Sequence, residues 1–352
     1  MNNKKIQKLL LILVLVVVSF TLIGCQQKQK IAPQTQMVLG TVCTINLFEQ
    51  GSLSFYAELF KILRSIEEKM SMHIADSAIA KINAHAGKES VKIDDETFFV
   101  LETAKNYAQK TQGAFDPTIG SLVALWNVTG NENFGSGPKV PSYEEILKVQ
   151  KLVGYDKLIL DARQKTAFLQ EEGMLLDVGA IAKGYAADVL AEKICQNGIT
   201  KATLDLGGNV YVLGEKQKNT PWNVGIRTPS FTENSTLLSI PLQDTSLVTS
   251  GMYERYFEEN GKKYHHILDR KTGFPAENDI LSVSIVCESS MLADILSTAC
   301  FVMGKDKALS FLAQEASERA LEAIIVDNQK RIWYTKGLKN IVKVLNFDYT
   351  LQ

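Results

Sequence analysis

The chain has 352 residues, of which 45% are apolar and 22% charged. That is the balance of a globular protein with core enough for one large domain or two ordinary ones, and it excludes both a disordered chain and a multispan membrane protein. The formal charge of −1 supplies no field for nucleic acid, and removing a leader with Lys4, Lys5 and Lys8 makes the rest more acidic, so no nucleic-acid partner is expected.

In chain order, the leader comes first. A basic start (Asn2 to Lys8) precedes an apolar run from Leu9 to Ile23, then Gly24 and Cys25, the plan of a secretory signal. Leu22-Ile23-Gly24-Cys25 resembles the lipobox of bacterial lipoproteins, whose cysteine is diacylated and becomes the mature N-terminus. Residues 1–24 then read as a signal peptide and Cys25 as the lipidation site. The alternative is a plain transmembrane anchor, for which the run is short of the roughly 20 apolar residues a spanning helix takes. Both place the body outside the cytoplasm, on the outer face of the cell membrane. The polar stretch that follows makes residues 25–36 a flexible tether, and residues 37–352 are treated as one catalytic unit.

Alternation predicts a strand at Cys43 to Leu47, and apolar residues at helical spacing (Leu59, Ile62, Leu63, Ile66, Met70) predict a helix over Leu53 to Met70. Further helices are expected at Asp95 to Thr111, Tyr143 to Lys151 and Ala182 to Asn197, with an exposed Gly/Asn-rich loop at Asn127 to Pro141. Short strands follow at Lys157 to Leu160, Thr166 to Leu169, Ala202 to Leu204, Val210 to Leu213, Trp222 to Ile226 and Leu237 to Pro241. The end reads as strand Ile280 to Cys287, helix Ser289 to Met303, helix Lys305 to Glu315 and strand Leu321 to Val326. Several strand pairs are joined by short turns, so the fold class is α+β with mixed, largely antiparallel sheets and helices packed on them. Beyond Cys25, Cys43, Cys195, Cys287 and Cys300 lie in apolar contexts without CxxC spacing and read as buried free thiols. The four histidines are too scattered for a structural zinc.

Five segments could carry chemistry. In LDVGAIAKGYAAD (Leu176 to Asp188), a strand ending at Asp177 runs into a helix opening near Ala180 with Lys183 in its first turn: a phosphate cradle, or simply a Gly-capped helix start. In TLDLGGNVYVLG, Gly207 and Gly208 allow either close approach of a flat ligand or a tight hairpin. SLVTSGMYERYF and KYHHILDRKTGFPAEN place His266 and Asp269 near small hydroxyls, which suits proton transfer, or a core histidine beside an Asp-stabilised turn. In MLADILSTACFVMG, Asp294 and Thr298 share a helix face, as a hard-oxygen metal site or a capping arrangement.

Together and in this order, and with AFDPTIGSLVALW (Ala114 to Trp126), these segments resemble the bacterial FAD:protein FMN transferases, the ApbE family, from about Met37 to Gly304. The resemblance implies a single ApbE-like domain with FAD contacts at His73, Ala114, Phe115, Asp116, Asp177, Lys183 and Ile267. It also implies Mg²⁺ held by the Ala180 carbonyl, Asp294 and Thr298 with Ser297 nearby. The family's early Met-Gly-Thr is Leu39-Gly40-Thr41 here, its acidic residue after TSG is Met252, and Asp269-Arg270 replaces Asp-Pro. The implied reaction is Mg²⁺-dependent transfer of FMN from FAD to a Thr or Ser hydroxyl of an exported acceptor protein, with AMP leaving. His266, helped by Asp269, is the candidate base. The rival readings are an FAD pyrophosphatase and a lipid-anchored flavin-binding protein without turnover.

Overall fold

The computed structural model describes residues 31–48, 51–135 and 137–352; the expected signal peptide, residues 1–24, and the expected lipidation site Cys25 lie outside them. The eight helices among the described residues are α1 (Leu53–Met70), α2 (Ala78–Ala84), α3 (Asp95–Lys110), α4 (Gly120–Trp126), α5 (Tyr143–Gln150), α6 (Gly179–Gln196), α7 (Ser290–Met303) and α8 (Lys305–Glu318).

The main sheet has nine strands: Gln34–Val38, Thr41–Leu47, Ala202–Leu206, Asn209–Leu213, Thr245–Gly251, Ile280–Cys287, Leu321–Asp327, Arg331–Tyr334 and Thr350–Leu351. They lie side by side in chain order, every pair antiparallel except the last. Successive side chains point to opposite faces of a strand, and both faces are covered. On one face, α1, α6, α7 and α8 bury Cys43, Ile45, Val283, Ile285 and Ala323. On the other, a three-stranded sheet (Trp222–Arg227, Thr236–Leu242, Lys343–Val344) closes over Val212, Leu247, Val286 and Ile324. The strand Ile280–Cys287 is therefore nearly all apolar or small, as a doubly covered strand must be. The architecture is α+β with largely antiparallel sheets.

α1 forms because Ser52 caps its N-terminus, accepting from the Phe55 amide at 3.1 Å, and because Leu59, Leu63, Ile66 and Met70 share one buried face. A smaller core unites α4 and α5 with the hairpin Tyr256–Glu259/Lys262–His265 around Trp126, whose indole N–H donates to Gly273 O at 2.8 Å.

Three sequence expectations need correction. The tether does not reach residue 36, because Gln34, Thr35 and Gln36 already pair with Ile45, Thr44 and Cys43 across a Leu39-Gly40 turn whose φ values are +56° and +64°. The strand ending in Asp177 is only a bridge between Leu175 and Ile119. Cys195 is exposed, whereas Cys43, Cys287 and Cys300 are buried, all four as free thiols.

Candidate active site

The first turn of α6 is irregular. Asp177 Oδ1 accepts from the Gly179 amide at 2.7 Å, and Ala180 has φ −89° and ψ 16°, outside helical values. Gly184 carries no side chain where α7 crosses, since a Cβ there would lie 2.3 Å from Ser290 O and 2.6 Å from Met291 Cα. This close approach delivers Asp294, 4% exposed, onto the opened turn. Gly184 N–H donates to Asp294 Oδ2 at 3.1 Å, and Lys183 Nζ lies 3.5 Å from the same oxygen while donating to Gly179 O at 2.9 Å. The Gly184 amide, four residues beyond the irregular Ala180, thus has the α7 carboxylate as an acceptor.

Two further groups hold α7 there. Asp188, one turn beyond Gly184, accepts from Ser290 N at 2.6 Å, Met291 N at 3.0 Å and Ser289 Oγ at 2.8 Å. Burial pushes its pKa up, against the pull of those donors. From the sheet side, Ser250 Oγ lies 2.9 Å from Ser297 Oγ and 3.3 Å from Thr298 Oγ1. Ser297 also donates to Asp294 O at 3.0 Å, which turns it back onto its own helix. The Asp294 carboxylate, the Thr298 hydroxyl and the backbone carbonyls of the irregular turn are all oxygen, the donor type a hard divalent cation takes. Among the described residues no three His, Cys, Asp or Glu side chains gather to hold a metal, so a cation here would rely on Thr298 and the backbone beside Asp294.

The histidine pair divides by environment. His265 is buried edge-on against Phe301, its Nε2 3.1 Å from Ala276 O and its Nδ1 accepting from Ile267 N at 3.3 Å. Burial lowers its pKa to about 4. His266 retains surface, but its ring sits where desolvation and the Arg255 cation lower its pKa to about 3. Its Nδ1 is 3.2 Å from Arg255 O, and since a carbonyl only accepts, Nδ1 carries the proton and Nε2 keeps a free lone pair. Arg255 in turn donates to Gly40 O at 3.4 Å. Gly207, at φ +64°, packs against Thr41, where a Cβ would meet Oγ1 at 2.2 Å. The Leu39-Gly40-Thr41, Gly207-Gly208 and His265-His266 segments thus meet.

Other expected residues are engaged elsewhere. Asp269 closes its own turn, its Oδ1 accepting from Lys271 N at 2.8 Å and its carbonyl from Gly273 N at 2.8 Å, and no hydrogen bond among the described residues joins it to His266. The expected His266–Asp269 couple is not formed, because a turn of this kind consumes the Asp side chain locally. Asp116 is buried, accepting from Thr118 N at 2.9 Å, Thr118 Oγ1 at 2.7 Å, Tyr155 N at 3.1 Å and Arg270 Nη1 at 3.0 Å. Phe115 and Ile267 lie in the main core, and Ala114 is half-buried beside it. His73 is exposed, its ring edge-on to Phe134 at 5.1 Å. A concavity of about 290 Å³ on the outer side of α1 and α6 contains none of these residues.

Asp188, Ser250, Arg255 and Phe134 were given no role by sequence reasoning. The one available signal was the four-residue spacing from Gly184 to Asp188, which puts both on the helix face that meets α7.

Comparison with known proteins identifies the family. The family model described as the ApbE family matches residues 39–325. The chain is 35% identical to the FAD:protein FMN transferase of Treponema pallidum over 91% of each chain. It is 33% identical to that of Klebsiella pneumoniae, covering 84% of this chain and 89% of the relative. The solved ApbE protein of Thermotoga maritima superposes with a TM-score of 0.79 at 33% identity, over 88% of this chain and 98% of that one. The flavin transferase ApbE of Vibrio cholerae gives 0.77 at 26% identity, over the same shares. With the motifs, the fold and these relatives in agreement, the chain belongs to the ApbE family and is an FAD:protein FMN transferase.

Proposed function

We propose that this enzyme transfers FMN from FAD to a Thr or Ser hydroxyl of an exported acceptor protein, releases AMP, and uses Mg²⁺ held by Asp294, Thr298 and the Ala180 carbonyl. The observation that carries the metal assignment is the hydrogen bond from Gly184 N–H to Asp294 Oδ2, which sets that carboxylate beside the irregular α6 turn. When bound, the ion supplies charge neutralisation at the FAD pyrophosphate. The exposed start of α6 and Lys183 offer amide and ammonium donors to the same phosphates. In the chemical step the acceptor oxygen bonds to the FMN-side phosphorus, the bond to the AMP oxygen breaks, and the hydroxyl proton leaves. His266, neutral with Nε2 free, orients that hydroxyl as a hydrogen-bond acceptor and takes its proton as the bond forms.

Incubation with FAD, Mg²⁺ and an acceptor protein should give a fluorescent band that survives denaturing electrophoresis. Asp294→Ala should slow its appearance by roughly 100-fold or more, as loss of an electrostatic stabiliser does. A band undiminished by that substitution and by chelation refutes the metal assignment, and free FMN formed equally fast without acceptor refutes the protein hydroxyl as the target. Cys25 as a diacylated membrane anchor facing outward belongs to the same proposal, supported by the lipobox-like Leu22 to Cys25. Cys25→Ser should move the protein from the membrane fraction to the soluble one.

A further inference from the structure

Asp294 sits in a helix whose neighbours Leu292, Ala293, Ile295 and Leu296 are all buried, and a carboxylate so placed must be compensated. Within 4 Å its one cation among the described residues is Lys183, whose side chain is only 21% exposed. The ammonium is tied to both walls of the proposed cation site: 2.9 Å from Gly179 O on the opened α6 turn and 3.5 Å from Asp294 Oδ2 on α7. An ammonium and a divalent ion leaning on one carboxylate repel each other. A lysine has the flexible four-carbon stem that allows it to yield.

We infer that Lys183 is a resident counter-ion: it neutralises Asp294 while the site lacks a divalent cation and must be displaced when one enters. This rests on the metal reading above. An incoming FAD pyrophosphate offers the displaced ammonium a new anion, so ion and nucleotide favour each other's binding through this side chain. Such a coupling is reciprocal, each ligand raising the affinity of the other by the same factor.

The test is Mn²⁺ binding to the full chain by electron paramagnetic resonance, without nucleotide, for the wild type, Lys183→Met, Lys183→Arg and Asp294→Asn, each checked for folding by circular dichroism. Lys183→Met should bind Mn²⁺ about tenfold more tightly than the wild type, since a competing charge is gone. Lys183→Arg, which keeps the cation, should stay near the wild type. The melting temperature of Lys183→Met should be lower without metal and rise further on adding Mn²⁺, a response that a purely packing role would not give. Mn²⁺ affinity unchanged or weakened in Lys183→Met overturns the inference, even where Asp294→Asn loses Mn²⁺ binding and so upholds the metal site. If Asp294→Asn binds Mn²⁺ as the wild type does, the metal reading falls and takes this one with it.

Discussion

Asp116 and Arg270 show how one substitution is absorbed. The family resemblance leads one to expect proline after Asp269. Here Arg270 fills that place, its guanidinium against Gly113, 5.1 Å from the Tyr155 ring centroid and bonded to Asp116. Burial raises the Asp116 pKa, while Thr118, Arg270 and the Tyr155 amide oppose it. Arg270→Met removes the cation and leaves a buried carboxylate with neutral donors only. The expected loss is about 3 kcal/mol by urea denaturation, the lower end for breaking a buried pair; a loss under about 1 kcal/mol would show the pair to be incidental. His265 makes a prediction in pH. Its folded pKa of about 4 lies below the ordinary 6.5, so between those values the unfolded chain binds the extra proton. Its contribution is complete above about pH 6.5 and is lost as pH falls through 4, amounting to about 3 kcal/mol. Denaturant midpoints measured from neutral pH down to about 4 should decline less steeply in His265→Gln than in the wild type.

Among the elements, the contact of α6 with α7 matters most, because it brings the 179–184 turn to Asp294. Asp188 holds the N-terminal amides of α7, Ser290 and Met291, and the Ser289 hydroxyl. Asp188→Asn keeps the shape but gives up the anion at a helix N-terminus and one acceptor oxygen. Stability should fall by about 1–2 kcal/mol in denaturant melts, and the flavinylation rate should fall with it as Asp294 loosens; an unchanged rate would show that α7 is positioned by its other contacts alone. Helices with a clear apolar stripe and a capping residue, such as α1 with Ser52 and α5 with its Ser142–Glu145 capping box, were legible in the sequence to within a residue or two. Gln34–Val38 was not: its Gln/Thr content looks like a tether, and it becomes a strand only because Thr41–Leu47 lies beside it. α4 was missed too, as its seven residues follow Pro117 and start at Gly120, where a Cβ would meet Leu175 O at 2.6 Å. In the site, Lys183, Asp294 and Thr298 could be named because local motifs carry them. The bonds that Asp188 and Ser250 make to α7 could not, because their partners lie 101–103 and 47–48 residues away.

The whole molecule joins these pieces through a sheet whose spatial order repeats its order in the chain. Relatedness to enzymes at 33–35% identity over most of their length accounts for the shared scaffold, while Leu39, Met252 and Arg270 mark where this chain departs from the expected pattern. The strand order has a consequence for how the protein is made. Each strand synthesised can dock on an edge already standing, with one long interruption: Thr41–Leu47 must wait for residues 48–201 to emerge before Ala202–Leu206 arrives to pair with it. Through that interval its backbone edge is bare and Cys43, Ile45 and Leu47, all destined for the interior, have only the early helices to cover them. A half-made chain is therefore sticky along that edge, and a message cut short near codon 200 would yield a product for holdases and proteases to remove.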